Sequence, residues 1–310
     1  MKHSVILLAL FLLSFCHADE FADFTALQKH FEAQTSITDK LEAIRDLDVE
    51  YVSVLINPVH RVKLIGIFMR DTNLAVRVRA AQAVAFNNCA ETYAAELQQL
   101  LIEDPSPRTI RTVARAMGAS RSPSFAGPLE ALLQHPDYGV RIDVARQLMH
   151  IDHKAAIRFL APQLRSSELG HHLDAIGALG IGKTPLGQEL LEAELGADIA
   201  AVRSKAVEAL GRYDALGRPA KILPLLHDVD ADVRAETCQA LAYFDTDAFA
   251  PAVAELLQDP VADTRRAAIE ALRQMRAVEY LPQIKDMQND SNDRVRRRAK
   301  IALYLMSKEG

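Results

Sequence analysis

One template returns eight times along this 310-residue chain, and its last six copies start 31 residues apart without an insertion or deletion. Each copy opens on an Arg or its replacement: Arg77, Ile110, Arg141, His172, Arg203, Arg234, Arg265 and Arg296. Small or apolar residues follow three, four and six positions on, and an apolar residue stands at seven. The copy Val202-Arg203-Ser204-Lys205-Ala206-Val207-Glu208-Ala209-Leu210-Gly211 shows the pattern most clearly. A period of this length decides the architecture, because one such unit cannot bury its apolar side alone and must stack on its neighbours. It also points towards binding rather than catalysis, since stacked arrays mostly present extended surfaces.

With the Arg as position zero, +3, +4 and +7 share one helical face. Ala at +6 (Ala83, Ala116, Ala178, Ala209, Ala240, Ala271, Ala302) permits a neighbouring helix to come close. This predicts the inner helix of a pair. The segment before it is also amphipathic, as in Phe249 to Leu257. Pro251 and Pro282 fall in its first turn, where a missing N–H costs little, while Pro162 and Pro224 fall further in and predict kinks. An Asp at −6 (Asp71, Asp104, Asp228, Asp259, Asp290) predicts the end of the outer helix. The expected fold is an all-α solenoid, an α-α superhelix of about nine helix pairs.

These residues resemble the HEAT-like repeats, in the short bacterial form also seen in phycobilin lyases, over roughly residues 59–310. The resemblance implies that the Asp at −6 and the Arg at zero form a hydrogen-bonded ladder linking successive turns. Both residues stand at Asp71/Arg77, Asp228/Arg234, Asp259/Arg265 and Asp290/Arg296. Arg141 and Arg203 keep only the Arg, because His135 and Ala197 replace the Asp; Ser166 also replaces it, and Ile110 and His172 replace the Arg. The last three repeats should therefore be regular and the middle of the array less so. Residues 19–58 match poorly and read as an N-terminal helical cap, with helices over Phe21–Phe31 and Thr38–Leu47.

Residues 1–18 read as a signal peptide. Lys2 supplies the positive start, Val5 to Phe15 an apolar run too short to span a bilayer, and Ala18 a small residue at the cleavage position. Lipid attachment at Cys16 is the alternative, with Phe15 in the place where a small residue is usual. The expected location is periplasmic or secreted. No other apolar stretch is long enough to cross a membrane. Without Lys2 the chain carries 35 basic against 41 acidic residues. That net charge of −6 argues against general nucleic-acid or anionic-membrane binding. Cys89 and Cys238 sit five repeats apart, about 50 Å at roughly 10 Å per repeat. No disulfide joins Cα atoms so distant, and Cys238, at +4, should be a buried thiol.

Gly177-Ala-Leu-Gly-Ile-Gly182-Lys183-Thr184 fits the phosphate-loop pattern, but a phosphate loop needs a buried strand before it. Here the repeat places an inner helix over Leu173 to Leu179, with Gly182 just past its cap. Histidines cluster at His135, His150, His153, His171 and His172. His150, His153, His171 and His172 are the candidate metal ligands, with Asp152 or Asp174, in a coordination that suits Zn²⁺. The related hydroxylase built on HEAT repeats, deoxyhypusine hydroxylase, uses adjacent His-Glu pairs, and this sequence contains none. No G-x-S-x-G elbow is present. No cofactor is expected.

Arg111, Arg115 and Arg146, with His150, occupy inner-helix positions that face away from the core and read as a cationic strip. Such a strip suits an acidic protein segment or another anion. Lys205, Glu208, Arg212, Glu236, Tyr243 and Glu270 continue the same face, where the charge becomes mixed. The functional expectation is a non-catalytic scaffold binding a protein or peptide partner, with a metal-assisted oxidoreductase, hydroxylase-like or lyase-like enzyme using the His cluster as the rival.

Overall fold

A computed structural model of the chain describes residues 28–48 apart from His30, 58–213, 219–244 and 247–309. The signal peptide expected at residues 1–18 and most of the first cap helix expected at Phe21–Phe31 lie outside the described residues. Among the described residues there are seventeen α-helices and no strand. The second cap helix is α1 (Ile37–Asp48). Outer and inner helices then alternate. They run α2 (Pro58–Met69) and α3 (Leu74–Phe86), α4 (Ala94–Glu103) and α5 (Pro107–Ala119), α6 (Ala126–Leu132) and α7 (Tyr138–Leu148). The series continues with α8 (His153–Gln163) and α9 (Leu169–Gly182), then α10 (Pro185–Ala193) and α11 (Ala200–Gly211). It ends with α12 (Pro219–Ile222) and α13 (Ala231–Ala242), α14 (Ala250–Glu255) and α15 (Ala262–Gln274), α16 (Leu281–Asp286) and α17 (Asp293–Glu309). That makes eight pairs after α1, and the fold class is the α-α superhelix expected from the repeat. The described chain divides into two compact units, residues 1–155 and 156–310.

The template is the core. At Arg77 the +3, +4, +6 and +7 residues are Ala80, Ala81, Ala83 and Val84, and at Arg203 they are Ala206, Val207, Ala209 and Leu210. All eight are buried. Within each unit the inner helices pack chiefly on the inner helices before and after them. Small residues set that spacing: a Cβ added at Gly180 would lie 3.0 Å from the Ala209 Cβ, and one at Gly211 would lie 2.9 Å from the Ala240 Cβ. Cys238 is fully buried as expected, and neither it nor Cys89 is bonded to another thiol.

Outer helices are shorter than their inner partners. Four of them end in a 3₁₀ turn, at Glu194–Gly196, Leu223–His227, Leu256–Gln258 and Met287–Asn289, and Asp228, Asp259 and Asp290 cap the last three. Pro251 and Pro282 take first-turn positions. The two expected kinks take other forms. Pro162 sits one residue before α8 stops, and Pro224 opens the 3₁₀ turn that follows α12. A proline removes an α-helical hydrogen bond, and a 3₁₀ turn accommodates that loss without bending a long helix.

Inner helices begin on polar caps in most repeats. The side chains of Asn73, Ser106, Asp137 and Asp230 accept first-turn N–H groups. Four of them are followed by a left-handed residue eleven positions after the Arg site: Asn88, Arg121, Lys183 and Arg276 have φ between 47° and 55°.

Candidate partner-binding face

The Arg at position zero bonds in two directions. Its Nη1 donates to the main-chain carbonyls five and six residues earlier: Arg234 to Asp228 O at 2.8 Å and Val229 O at 3.3 Å, Arg265 to Asp259 O at 2.8 Å and Pro260 O at 3.2 Å. Arg77, Arg141, Arg203 and Arg296 repeat this. Nε and Nη2 reach forward to the Asp of the next repeat. Arg203 meets Asp228 twice at 2.7 Å, Arg234 meets Asp259 at 2.7 and 3.0 Å, and Arg265 meets Asp290 at 2.7 and 2.8 Å. The ladder pairing is thus shifted by one repeat from the reading that set Asp228 with Arg234. The six-residue spacing serves the carbonyl, and a 25-residue spacing serves the carboxylate.

The irregular rungs are filled by substitutes. Lys40 on α1 donates to Asp71 at 2.6 Å. Arg77 pairs with Glu103 instead of Asp104, whose carboxylate takes Thr109 Oγ1 at 2.6 Å. His172, with no Asp at Ala197, shares a 2.8 Å hydrogen bond with Glu194. The bonds from Arg203 hold the Asp228 carboxyl below its usual range, and those from Arg265 do the same for Asp290. At Asp259 burial pushes upward most strongly, but the bonds from Arg234, the Val261 N–H and Thr264, together with the Arg234 charge, outweigh it and hold the carboxyl below its usual range.

In the first unit, Arg111 and Arg115 lie on α5, Arg146 lies in the last turn of α7, and His150 follows that helix. Asp143 lies between two of the arginines, 3.4 Å from Arg111 Nε and 2.9 Å from Arg146 Nη1, and Asp137 is 3.3 Å from Arg111 Nη2. The strip is therefore partly neutralised from within. Arg115 is exposed and has no carboxylate partner among the described residues. His150 is also exposed, and its imidazole is pushed below the usual histidine value, first by partial burial and then by the Arg121 charge. Sequence reading missed Asp143, although its three-residue spacing from Arg146 is that of a helical ion pair.

In the second unit Arg212 pairs with Glu208 at 2.5 Å, and Glu208 also takes Lys205 at 2.6 Å. Tyr243 is 62% exposed, its ring lying against Gly211. The face here carries acids as well as bases. A groove of about 550 Å³ opens on it, lined among others by Asp232, Glu236, Gln239, Asp263, Glu270 and Arg298. Glu270 is taken by Arg273 at 2.6 Å and Arg298 at 3.0 Å. Glu236 has no hydrogen-bond partner among the described residues, and burial, then the Glu208 charge, raises its carboxyl above the usual value.

Gly177 to Gly182 are helical, so their N–H groups serve the helix and cannot cradle a phosphate. The helix runs three residues past Leu179, to Gly182, and Lys183 rather than a glycine takes the left-handed cap. Thr184 then caps α10 through Gly187 N at 3.0 Å. Among the described residues no three His, Cys, Asp or Glu side chains are grouped to hold a metal ion. No helix among them is long and apolar enough to cross a membrane.

A family profile described as HEAT repeats matches residues 62–135 and 219–303, together about half of the chain. No curated protein matches. Among solved structures, Kap121p bound to Nup53p is 10% identical over 94% of this chain and 38% of its own, with a TM-score of 0.51. This chain thus spans well under half of that protein. An engineered protein is 20% identical over 60% of this chain and 97% of its own, at 0.40. Human deoxyhypusine hydroxylase in complex with glycerol is 15% identical over 83% and 96%, at 0.35.

Proposed function

The chain belongs to the HEAT-repeat family, and on that premise we propose that it is a non-catalytic scaffold that holds a protein or peptide partner on its inner-helix face. The observation that carries this reading is Arg115, an exposed guanidinium on α5 with no acid against it among the described residues, beside Arg111 and Arg146, which share Asp143. A rigid helix presenting a free guanidinium fits a carboxylate-bearing segment, because its planar fork matches a carboxylate in two parallel hydrogen bonds. His150 extends the first unit's face, and Arg212 and Tyr243 supply a cation and an aromatic surface on the second. Kap121p, whose fold this chain shares, was solved bound to Nup53p, a protein partner.

The place of action we propose is the bacterial periplasm or envelope, supported by the charged start, apolar run and small-residue site within residues 1–18. A mature N-terminus at Asp19 supports export with cleavage, and a lipid on Cys16 would replace it with an anchored envelope protein.

The test is crosslinking capture from a periplasmic extract with residues 19–310 as bait. One dominant stoichiometric protein is expected, lost on Arg115→Glu with Arg146→Glu while far-ultraviolet circular dichroism stays unchanged. Capture that survives the double charge reversal removes this face from the mechanism.

A further inference from the structure

The turns leading into the inner helices carry polar residues or proline in most repeats: Thr72-Asn73, Pro105-Ser106, Pro136-Asp137, Ser167-Glu168 and Ser291-Asn292. Three consecutive turns of the second unit depart from this, at Ile199, Val229 and Val261. Val229 is 94% exposed, Ile199 50% and Val261 39%. Ile199 and Val261 stand at the cap positions of α11 and α15 and leave both helices without the side-chain cap that Asn73, Ser106, Asp137 and Asp230 provide elsewhere. An aliphatic side chain there gives up a local stabilisation and gains little burial in return. Departures from a local rule of this kind concentrate at functional surfaces.

The surrounding charge is mostly acidic. Arg203, Arg234 and Arg265 are cancelled one for one by Asp228, Asp259 and Asp290. That leaves Asp198, Asp230 and Asp232 along the edge. Asp263 is also there, with Arg266 at 3.2 Å as an exposed partner. Asp198 and Asp230 lie close enough to act on the Arg203 guanidinium. Successive repeats stack roughly 10 Å apart. A polyproline-type segment turns once in three residues, advancing about 9 Å. A side chain at every third position of such a segment therefore falls in step with successive turns.

We propose that this turn edge of the second unit is a second docking surface, distinct from the inner-helix face. It takes an extended basic segment of a partner, with aliphatic side chains at about every third position and Lys or Arg between them. The aliphatic residues meet Ile199, Val229 and Val261, and the bases meet the acids beside them.

The test uses the full chain and three fluorescein-labelled peptides of about nine residues, long enough to pass three turns. One repeats Leu-Lys-Lys, one repeats Ser-Lys-Lys and one repeats Leu-Glu-Glu. Fluorescence anisotropy is expected to show binding of the first, at least tenfold weaker binding of the second and none of the third. The triple variant Ile199→Asn, Val229→Ser, Val261→Asn introduces residues that equivalent turns already carry. It is expected to lose at least tenfold in affinity for Leu-Lys-Lys while keeping or raising its melting temperature, and Arg115→Glu is expected to leave that affinity unchanged. Equal binding of Leu-Lys-Lys by wild type and triple variant overturns the proposal, as does equal binding of Ser-Lys-Lys and Leu-Lys-Lys by the wild type. Wild-type self-association that the triple variant loses and the Leu-Lys-Lys peptide cannot compete away also overturns it, because the occupant is then a second copy of this chain.

Discussion

Arg203, Arg234 and Arg265 each satisfy two carbonyls of their own turn with one nitrogen and the next repeat's carboxylate with the other two. Only a planar fork with fixed donors does both, so lysine is a poor replacement. The side chains are almost out of water, Arg203 12% and Asp228 6% exposed. Removing one member of such a pair leaves a charge uncompensated, at a cost of about 3 kcal/mol. Arg203→Ala is expected to lower stability by about that much at neutral pH in urea titrations, and Arg203→Lys to recover less than half of it. The pH dependence has a definite sign. The Asp228 carboxyl is held below its usual range, chiefly by its bonds from Arg203. A depressed folded value contributes stability that is present above the ordinary carboxylate pKa near 4 and is lost as pH falls through the folded value. Asp228→Asn is thus expected to be costly at pH 7 and nearly neutral once the pH has fallen below the folded value; a constant difference between the two unfolding midpoints across an acid titration would rule out the ladder as its source.

The inner helices are legible in the sequence because one physical requirement, a buried face against a neighbour, fixes +3, +4, +6 and +7 in nearly every copy, Gln147 and Lys300 being the exceptions. Pairing across repeats is less legible. Arg234 is six residues from Asp228 and 25 from Asp259, and nothing in the one-dimensional pattern says that the longer separation brings guanidinium and carboxylate together. The partial neutralisation of the cationic strip is hidden for a related reason: the sequence shows Arg111 and Arg146 but not that Asp143 faces both. The apolar turns at Ile199, Val229 and Val261 are visible as residues, yet their exposure is not. Packing distances separate glycines that look alike in sequence. Gly211 lies where an added Cβ would press on Ala240, whereas at Gly177 the nearest atom to such a Cβ is Lys205 Cε at 3.5 Å. Gly211→Ala is expected to cost about 1–3 kcal/mol from overpacking. Gly177→Ala is expected to gain up to about 1 kcal/mol from helix propensity. Thermal melts of the two variants check this, and shifts of the same sign would mean that α11 and α13 yield more easily than their contact implies.

Stability in a stacked array is a sum of repeat terms and nearest-neighbour terms, so a lesion spreads only as far as neighbouring interfaces carry it. In this chain the strongest polar links are of that kind. Arg203–Asp228, Arg234–Asp259 and Arg265–Asp290 each join one repeat to the next and all lie within residues 156–310. In the first unit the corresponding links are made by Lys40–Asp71 and Arg77–Glu103, while Asp104 turns back to Thr109 in its own repeat. Breaking one rung of the second unit should therefore lower the local opening energy of the helices on either side and leave distant amides untouched. For Arg203→Ala, hydrogen exchange is expected to quicken in α10 to α13, to fade by α17 and to be unchanged in α3 and α5. Uniform acceleration from α3 to α17 would instead mean that the whole chain opens as one cooperative unit, with the ladder serving global folding rather than the joint between two repeats.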